Sequence, residues 1–559
     1  MAQSFAFGIT GKVLEKLGNV AYEGICSAWG VRKEFEKLKD TLAAIRAVVL
    51  DAEQQQARTQ ELSLWIQRFK DACYDVEDSI DQFEIEALRR QVLEWEVPER
   101  RDMNKEELHK VLQDCLNGKR FLMVLDDVWK DKKKRSELKD LLCGGAQGSI
   151  IIVTTRSRKV ATITGTVSPY DLEHLSYENC MSLFLKLAFK EGEEKQHVNL
   201  VRIGAGIVKK CEGVALAVKT LGSLLCSTRV QHDWELVRDS ELWKLRQEEN
   251  DILPALKLCY DQLPWYLKQC FAFCSVFPKA FQFNDHFLIS VWKANGFLQS
   301  PYENEEPEDI GNRYIQELLS RSFFQQVEEE LCNSVFKMHD LVHDLALSVA
   351  QNEVNSCNHY STGNVRHLWF DLSKQDASQL PNNLSRLQSL FLLDREGKAD
   401  SESLIAEVIS RSKHLRVLDL GDWSFEHFPN NICYLKQLRF SNLSSNGNIR
   451  RLPNFICNLQ SLQTLHLGGC WGIEELPKDI RYLISLRELM VTTKQTRLQE
   501  NGISYLTSLR LLGFCSCENL EKLFEGIQNL TALRILCIED CKNLVSSPQG
   551  LKYLTTLEV

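Results

Sequence analysis

The chain has 559 residues, enough for three or four domains at roughly 150 residues each. Hydrophobic residues make up 44% and charged residues 26%, as in ordinary folded soluble protein, and a net charge of -9 argues against bulk affinity for nucleic acid or anionic membrane. No stretch approaches the roughly 18 continuous apolar residues of a membrane span, and MAQSFAFGITGKVLEKLG at the N-terminus lacks a basic leader with a long apolar core, so a cytoplasmic chain is expected.

Residues 1–95 carry helical periodicity. Phe35, Leu38, Leu42, Ile45 and Val49 form one apolar stripe, and Leu64, Trp65, Phe69, Cys73, Val76, Ile80 and Phe83 another, which predicts a helical bundle with polar Asp51–Gln60 as a connection. Phe5, Phe7, Ile9, Val13, Leu14 and Leu17 read first as bundle core. On the last helix Asp75, Glu77, Asp78 and Asp81 repel one another unless water or a basic surface answers them, which makes Glu77, Asp78 and Asp81 candidate interaction residues. The 19 cysteines are scattered on apolar faces, as reduced thiols are. Cys270/Cys274 and Cys515/Cys517 have neither a second matched pair nor histidine partners, so no resident metal site is expected from them.

From 105 to 175 short strands alternate with helices, the pattern of a parallel sheet. FLMVLDDVW (Phe121–Trp129) reads as a buried strand that delivers Asp126 and Asp127 at its C-terminal end, where open α/β sheets keep their ligands; two carboxylates there suit a hydrated Mg²⁺. GSIIIVTTR (Gly148–Arg156) and a segment near Tyr170 are the other two expected strands. The phosphate-holding partner of such a strand is a G-x-x-x-x-G-K-[ST] loop, and this sequence contains none: Gly118-Lys119 has Gln113 in place of the first glycine and Arg120 after the lysine. Residues 176–250 read as a helical subdomain. The stretch from 231 to 345 reads as helix with two aromatic-rich turns, compatible with a winged-helix module over 251–350, and acidic 303–309 reads as an exposed connection within it.

The last third, 360–559, repeats. L-x-x-L-x-L begins at Leu415, Leu438, Leu462, Leu486, Leu509, Leu533 and Leu557, with weaker copies at Val365 and Leu387, and the 23- or 24-residue steps after Leu415 are those of leucine-rich repeats. Such units bury their apolar faces only by stacking into a solenoid, an extended protein-binding surface. The intervening Arg416, Gln463, Arg487, Arg510 and Arg534 are expected on the concave side. Val559 falls inside a repeat, so a truncated C-terminus is expected.

Together these motifs resemble the plant coiled-coil, NB-ARC and leucine-rich-repeat disease-resistance proteins, over essentially the whole chain and in the family's order. EDSID (Glu77–Asp81) looks like the acidic motif of the Rx-type bundle, FLMVLDDVW like the Walker B strand, GSIIIVTTR like the sensor strand, and CEGVALAVKTLG (Cys211–Gly222) like the Gly-Leu-Pro-Leu motif. CFAFCSVFPK (Cys270–Lys279) is similar to the winged-helix signature and KMHD (Lys337–Asp340) to the Met-His-Asp motif. The resemblance implies a multidomain α plus α/β fold: helical bundle, truncated parallel α/β nucleotide-binding domain, helical and winged-helix domains (ARC1- and ARC2-like), and leucine-rich-repeat solenoid.

By resemblance the chain is a defence-signalling switch and not an enzyme, and its cofactors are ADP or ATP with Mg²⁺. Asp126 would hold the metal, Asp127 would orient water, Arg156 would read a γ-phosphate, and Gly213, His339 and Asp340 would line the nucleotide. Implied partners are proteins, a pathogen effector or a guarded host protein on the repeats, with no nucleic acid and at most transient membrane contact. Two departures matter: the phosphate loop and its flanking strands are missing between the bundle and FLMVLDDVW, and Ala215 stands where the family has proline. Poor ADP affinity and a marginal three-stranded remnant are therefore expected. The alternatives are a nucleotide-independent interaction module, a decoy or regulator of full-length relatives, and the product of an incomplete gene model.

Overall fold

The computed structural model describes the backbone of Leu122–Leu125 and, apart from short interruptions, residues 146–557; the interruptions longer than three residues are 245–253, 300–304, 330–333, 356–364, 373–376 and 395–400. The bundle expected over 1–95 lies outside the described residues.

Residues 103–175 form a compact unit of their own. In it β1 (Leu122–Leu125) and β2 (Ile150–Val153) pair in parallel, with Leu122 opposite Ile150 and Leu125 opposite Val153. A seven-residue helix, α1 (Arg158–Thr164), follows. The expected third strand near Tyr170 is not formed: 168–176 is irregular, Tyr170 and Leu172 are 87% and 86% exposed, and Asp171 pairs with Arg158 at 2.9 Å. A strand exists only where a neighbour takes up its N–H and C=O groups in a regular ladder, and 168–176 enters no ladder among the described residues. The expectation of three strands is thereby corrected to two among the described residues.

The other unit holds everything from Ser176 onward. Helices α2 (Tyr177–Ala188), α3 (Val198–Lys210), α4 (Ala215–Leu225) and α5 (Gln231–Asp239) come first. Ser176 caps α2 by accepting the Asn179 N–H, and the helix buries Cys180, Phe184 and Ala188 at steps of four. Trp234 of α5 meets Phe184 edge-on at 5.8 Å, which locks the first helix against the last.

Next come α6 (Pro254–Asp261), α7 (Trp265–Phe273), β3 (Gln282–Asn284), α8 (Asp285–Asn295), α9 (Pro307–Ser320), β4 (Gln325–Glu329), β5 (Ser334–Lys337) and α10 (Asp340–Ala350). The three strands make an antiparallel sheet in the order β3-β5-β4, so 231–345 is not all helix. Phe283 and Phe336, directly paired across β3 and β5, bury one face of that sheet and supply its driving force. Asn284 caps α8 by accepting the Phe287 N–H, and Gly296 ends it at φ +69°. α9 starts on Pro307, with Glu308 and Asp309 in its first turn, where a helix favours proline and negative charge. A Cβ on Gly311 of α9 would lie 2.7 Å from Ile289 Cγ1 of α8, so only glycine permits the helices to approach this closely.

The repeats build a nine-stranded parallel sheet in sequence order: β6 (Val354–Asn355), β7 (His367–Asp371), β8 (Ser389–Leu393), β9 (Val417–Asp419), β10 (Phe440–Asn442), β11 (Thr464–Leu467), β12 (Glu488–Val491), β13 (Leu511–Cys515) and β14 (Ile535–Glu539). A single α-helix, α11 (Ser401–Arg411), lengthens the step between β8 and β9. Leucines such as Leu415, Leu418 and Leu420 fill the solenoid interior. A polar rung runs beneath them: the Asn446 amide donates to Leu420 O and Leu443 O, and the thiols of Cys470 and Cys541 take the same place one and four repeats later.

Two apolar cores result. One is the solenoid interior; the other joins the helices, the winged helix and five residues of the repeat sheet's concave face, Val354, Trp369, Phe391, Val417 and Phe440.

Candidate functional site

The concave face of the first repeats is already covered. Phe277 lies 5.6 Å from Trp369 and 4.8 Å from Phe391, Phe287 lies 6.0 Å from Phe440, and Phe273 lies 4.9 Å from His367, mostly edge to face. CFAFCSVFPK, which marks the winged helix in sequence, supplies the first of these rings; its aromatic residues serve as the seat on which the solenoid rests. Asn295 at the end of α8 extends the seat with a polar contact, accepting from Ser389 Oγ at 3.0 Å.

Beyond the aromatic seat lies a charged one. Lys293 of α8 donates to Glu488 of β12 at 2.5 Å and to Glu308 of α9 at 3.0 Å, and Ser290 donates to the second oxygen of Glu488 at 2.5 Å. His466 Nε2 stands 3.8 Å from the same oxygen. Arg487 grips Glu308 through two nitrogens, at 3.0 and 2.7 Å, and also bonds Glu306. Arg510 donates to Glu306 at 2.6 Å, and Arg534 to both oxygens of Asp309 at 3.0 and 3.2 Å. Four cations thus face four carboxylates.

Burial grades this network. Side-chain exposure is 5% for Lys293 and 8% for Glu488 at the inner end, but 31% for Arg534 and 52% for Asp309 at the outer end. Burial alone would raise the pKa of Glu488; the charge of Lys293 overrides it and holds the carboxyl well below its usual range. For Glu308 burial again opposes, and the Arg487 bond with the Lys293 charge brings the pKa down to about 2. Arg487 is held above the ordinary arginine value by Glu308 and Glu306, against its own burial.

The acidic string expected to be an exposed connection is therefore corrected at Glu306, Glu308 and Asp309, which are clamped by the repeats; residues 303 and 304 lie outside the described residues. A second correction concerns Arg416 in the row Arg416, Gln463, Arg487, Arg510 and Arg534, of which Arg487, Arg510 and Arg534 do reach α9. These residues sit at the entry to each strand, where successive backbone N–H groups donate to the preceding carbonyl at 2.7 or 2.8 Å from Gln388 through Arg416, Arg439, Gln463, Arg487 and Arg510 to Arg534. The concave face belongs to the next positions, Val417, Phe440, Thr464 and Glu488, and Arg416 is fully buried. Sequence reasoning missed Lys293, Ser290 and Glu488. The available signal was arginine at one fixed repeat position and a single acidic string elsewhere, complementary in charge.

Of the expected nucleotide residues, Asp126, Asp127 and Arg156 lie outside the described residues, as do the interaction candidates Glu77, Asp78 and Asp81. Gly213 and Glu212 both adopt positive φ, +80° and +48°, in the turn between α3 and α4, and Ala215 is the first residue of α4. Cys211, Val214 and Trp243 line a shallow cleft beside this turn. His339 Nδ1 stands 3.2 Å from the Leu341 N–H and 3.1 Å from Asp340 Oδ1, at the start of α10.

A winged helix thus sits in a leucine-rich-repeat concavity and is joined to it by paired cations and carboxylates. Comparison with known proteins shows what the chain is similar to. Residues 9–140 match the Rx N-terminal domain, 276–346 the disease resistance protein winged helix domain, and 400–559 a leucine-rich repeat region. Disease resistance protein RGA2 of Solanum bulbocastanum is 44% identical over 333 residues, covering 59% of this chain and 32% of that protein. Disease resistance proteins RPM1 and RPP13 of Arabidopsis thaliana are each 30% identical, over 58% and 62% of this chain and 36% and 42% of their own lengths. Over these regions the chain is similar to plant disease-resistance proteins, and it spans about a third of the length of RGA2.

Proposed function

We propose that this protein is a cytoplasmic immune receptor homologue that signals through protein contacts, with the structure describing its locked state. The carrying observation is the Lys293–Glu488 pair, buried between α8 and β12 and continued outward by Arg487, Arg510 and Arg534. In a locked state the repeats hold the winged helix; a partner that favours the separated state shifts the population away from it. No catalytic chemistry is required for such a switch.

ADP or ATP with Mg²⁺ is the family's expected cofactor set, and we propose that this chain binds it poorly. Support comes from the missing phosphate loop in the sequence. Without backbone amides to cradle phosphates, the largest favourable term in binding is gone. The same observation favours a second reading, a nucleotide-independent regulator that pairs with full-length relatives. Nucleotide released from the purified, heat-denatured protein separates the two: stoichiometric ADP supports a working switch, and none supports the regulator. For the lock itself, hydrogen exchange across 306–320 in a Glu488→Gln variant should rise; unchanged exchange overturns it.

A further inference from the structure

We propose that the row Arg487, Arg510 and Arg534 is a docking surface for an acidic peptide segment of a protein partner, which takes the place of Glu306-Pro307-Glu308-Asp309. The proposal rests on the locked-state reading above and names the chemistry of what opens it.

The row is a regular receptor. Successive backbone bonds of 2.7 and 2.8 Å tie the three arginines into one ladder, which sets their side chains one strand apart, roughly 4.8 Å. A chain running across the strands can therefore meet them with carboxylates one or two residues apart, as Glu306, Glu308 and Asp309 do. Guanidinium groups take carboxylates in a planar, two-bond geometry, so the row selects for carboxylates and against neutral or basic segments.

The row is also accessible from one end. Arg534 and Asp309 are 31% and 52% exposed, so their pair is solvent-screened and is the first to fray, whereas Lys293 and Glu488 lie sealed beneath. An incoming acidic segment gains Arg534, then Arg510, then the outer half of Arg487, without first breaking a buried pair. The internal segment competes at high effective concentration, so the incoming one must carry several carboxylates or further contacts of its own.

The test uses the full chain and a labelled synthetic peptide of its own sequence from 303 to 313, with a second peptide in which the positions of Glu306, Glu308 and Asp309 are amides. The chain variant Glu306→Gln/Glu308→Gln/Asp309→Asn should bind the acidic peptide at least about tenfold tighter than the unaltered chain, less so in high salt, and should ignore the neutral peptide. Adding Arg510→Gln/Arg534→Gln should abolish that gain. Equal binding of both peptides, in a variant whose 306–320 exchange has risen, overturns the proposal and leaves the lock standing. Unchanged exchange in the variant overturns the lock and the proposal with it. Should the triple variant not fold, Asp309→Asn alone, at the exposed end, should still tighten acidic-peptide binding, and no change there overturns the proposal.

Discussion

Lys293 of the winged helix and Glu488 of the repeat sheet, 195 residues apart in sequence, are joined by a 2.5 Å hydrogen bond with both side chains more than nine-tenths buried. Taking two charges out of water is costly, and their attraction with the added bonds from Ser290 and to Glu308 offsets that cost only while all partners are present.

Removing one partner should therefore hurt more than removing both. Lys293→Met is expected to destabilise the chain by about 3–5 kcal/mol, because Glu488 is left charged and buried. Lys293→Met with Glu488→Leu should recover most of that loss. Denaturant unfolding of the two single variants and the double variant closes the cycle, and additive effects would refute the coupling.

The outer end of the network should behave differently. Arg534→Gln breaks an exposed pair and is expected to cost less than about 1 kcal/mol, vanishing in high salt. Arg487→Gln strips Glu308 of two bonds and should cost about 1.5–3 kcal/mol, much less dependent on salt. Stability measured at low and high ionic strength distinguishes the two ends.

Acidity acts on two groups in opposite directions. Glu308, with a folded pKa of about 2 against an ordinary value of 4.5, contributes stability that is full above pH 4.5 and is lost as pH falls toward 2. Asp419 is raised from 3.8 to about 6 by burial, against the Gly421 N–H and Asn442 amide that it accepts. Its folded form holds the proton longer than the unfolded one, so it contributes stability below pH 4 that is lost as pH rises through 6. Asp419→Asn keeps both accepted bonds and is expected to stabilise the chain at pH 7 by up to about 3 kcal/mol. The gain should shrink to nothing near pH 4, and a gain independent of pH would count against this account.

The two cores should separate under mutation. Phe391→Ala removes a ring that touches Phe277, Phe273 and Phe287 but lies outside the solenoid interior, where its neighbours Leu390 and Leu392 sit. A loss of about 3–5 kcal/mol is expected, concentrated in the seating of the winged helix. Hydrogen exchange should rise in α7 and α8 while the repeat strands stay protected; loss of protection along the whole sheet would contradict a divided core.

Much of this architecture is written locally. The leucine period predicts each repeat strand because those side chains pack on the next unit, 23 or 24 residues away, and the helical stripes of 176–239 predict their helices because i, i+4 neighbours share a face. Motif order identifies the family for the same reason, since each motif is a short run whose residue types suit one local geometry. The candidate site was only partly legible. Gly213, His339 and Asp340 could be placed by resemblance, whereas the segment near Tyr170, expected as a strand, is irregular.

What tertiary structure alone decided is the meaning of the polar residues. Glu306, Glu308 and Asp309 read as a solvated connection because a charge string is most often solvated, and arginine at a fixed repeat position reads as a binding surface. That each answers the other depends on how α9 sits in the concavity, a relation among residues about 180 to 225 apart. Periodicity reports which face of an element is apolar; it carries no record of which distant element will cover that face. Sequence by itself therefore determined the parts and their order, and the packing of the winged helix into the repeats determined that the protein's own acidic segment occupies the arginine row.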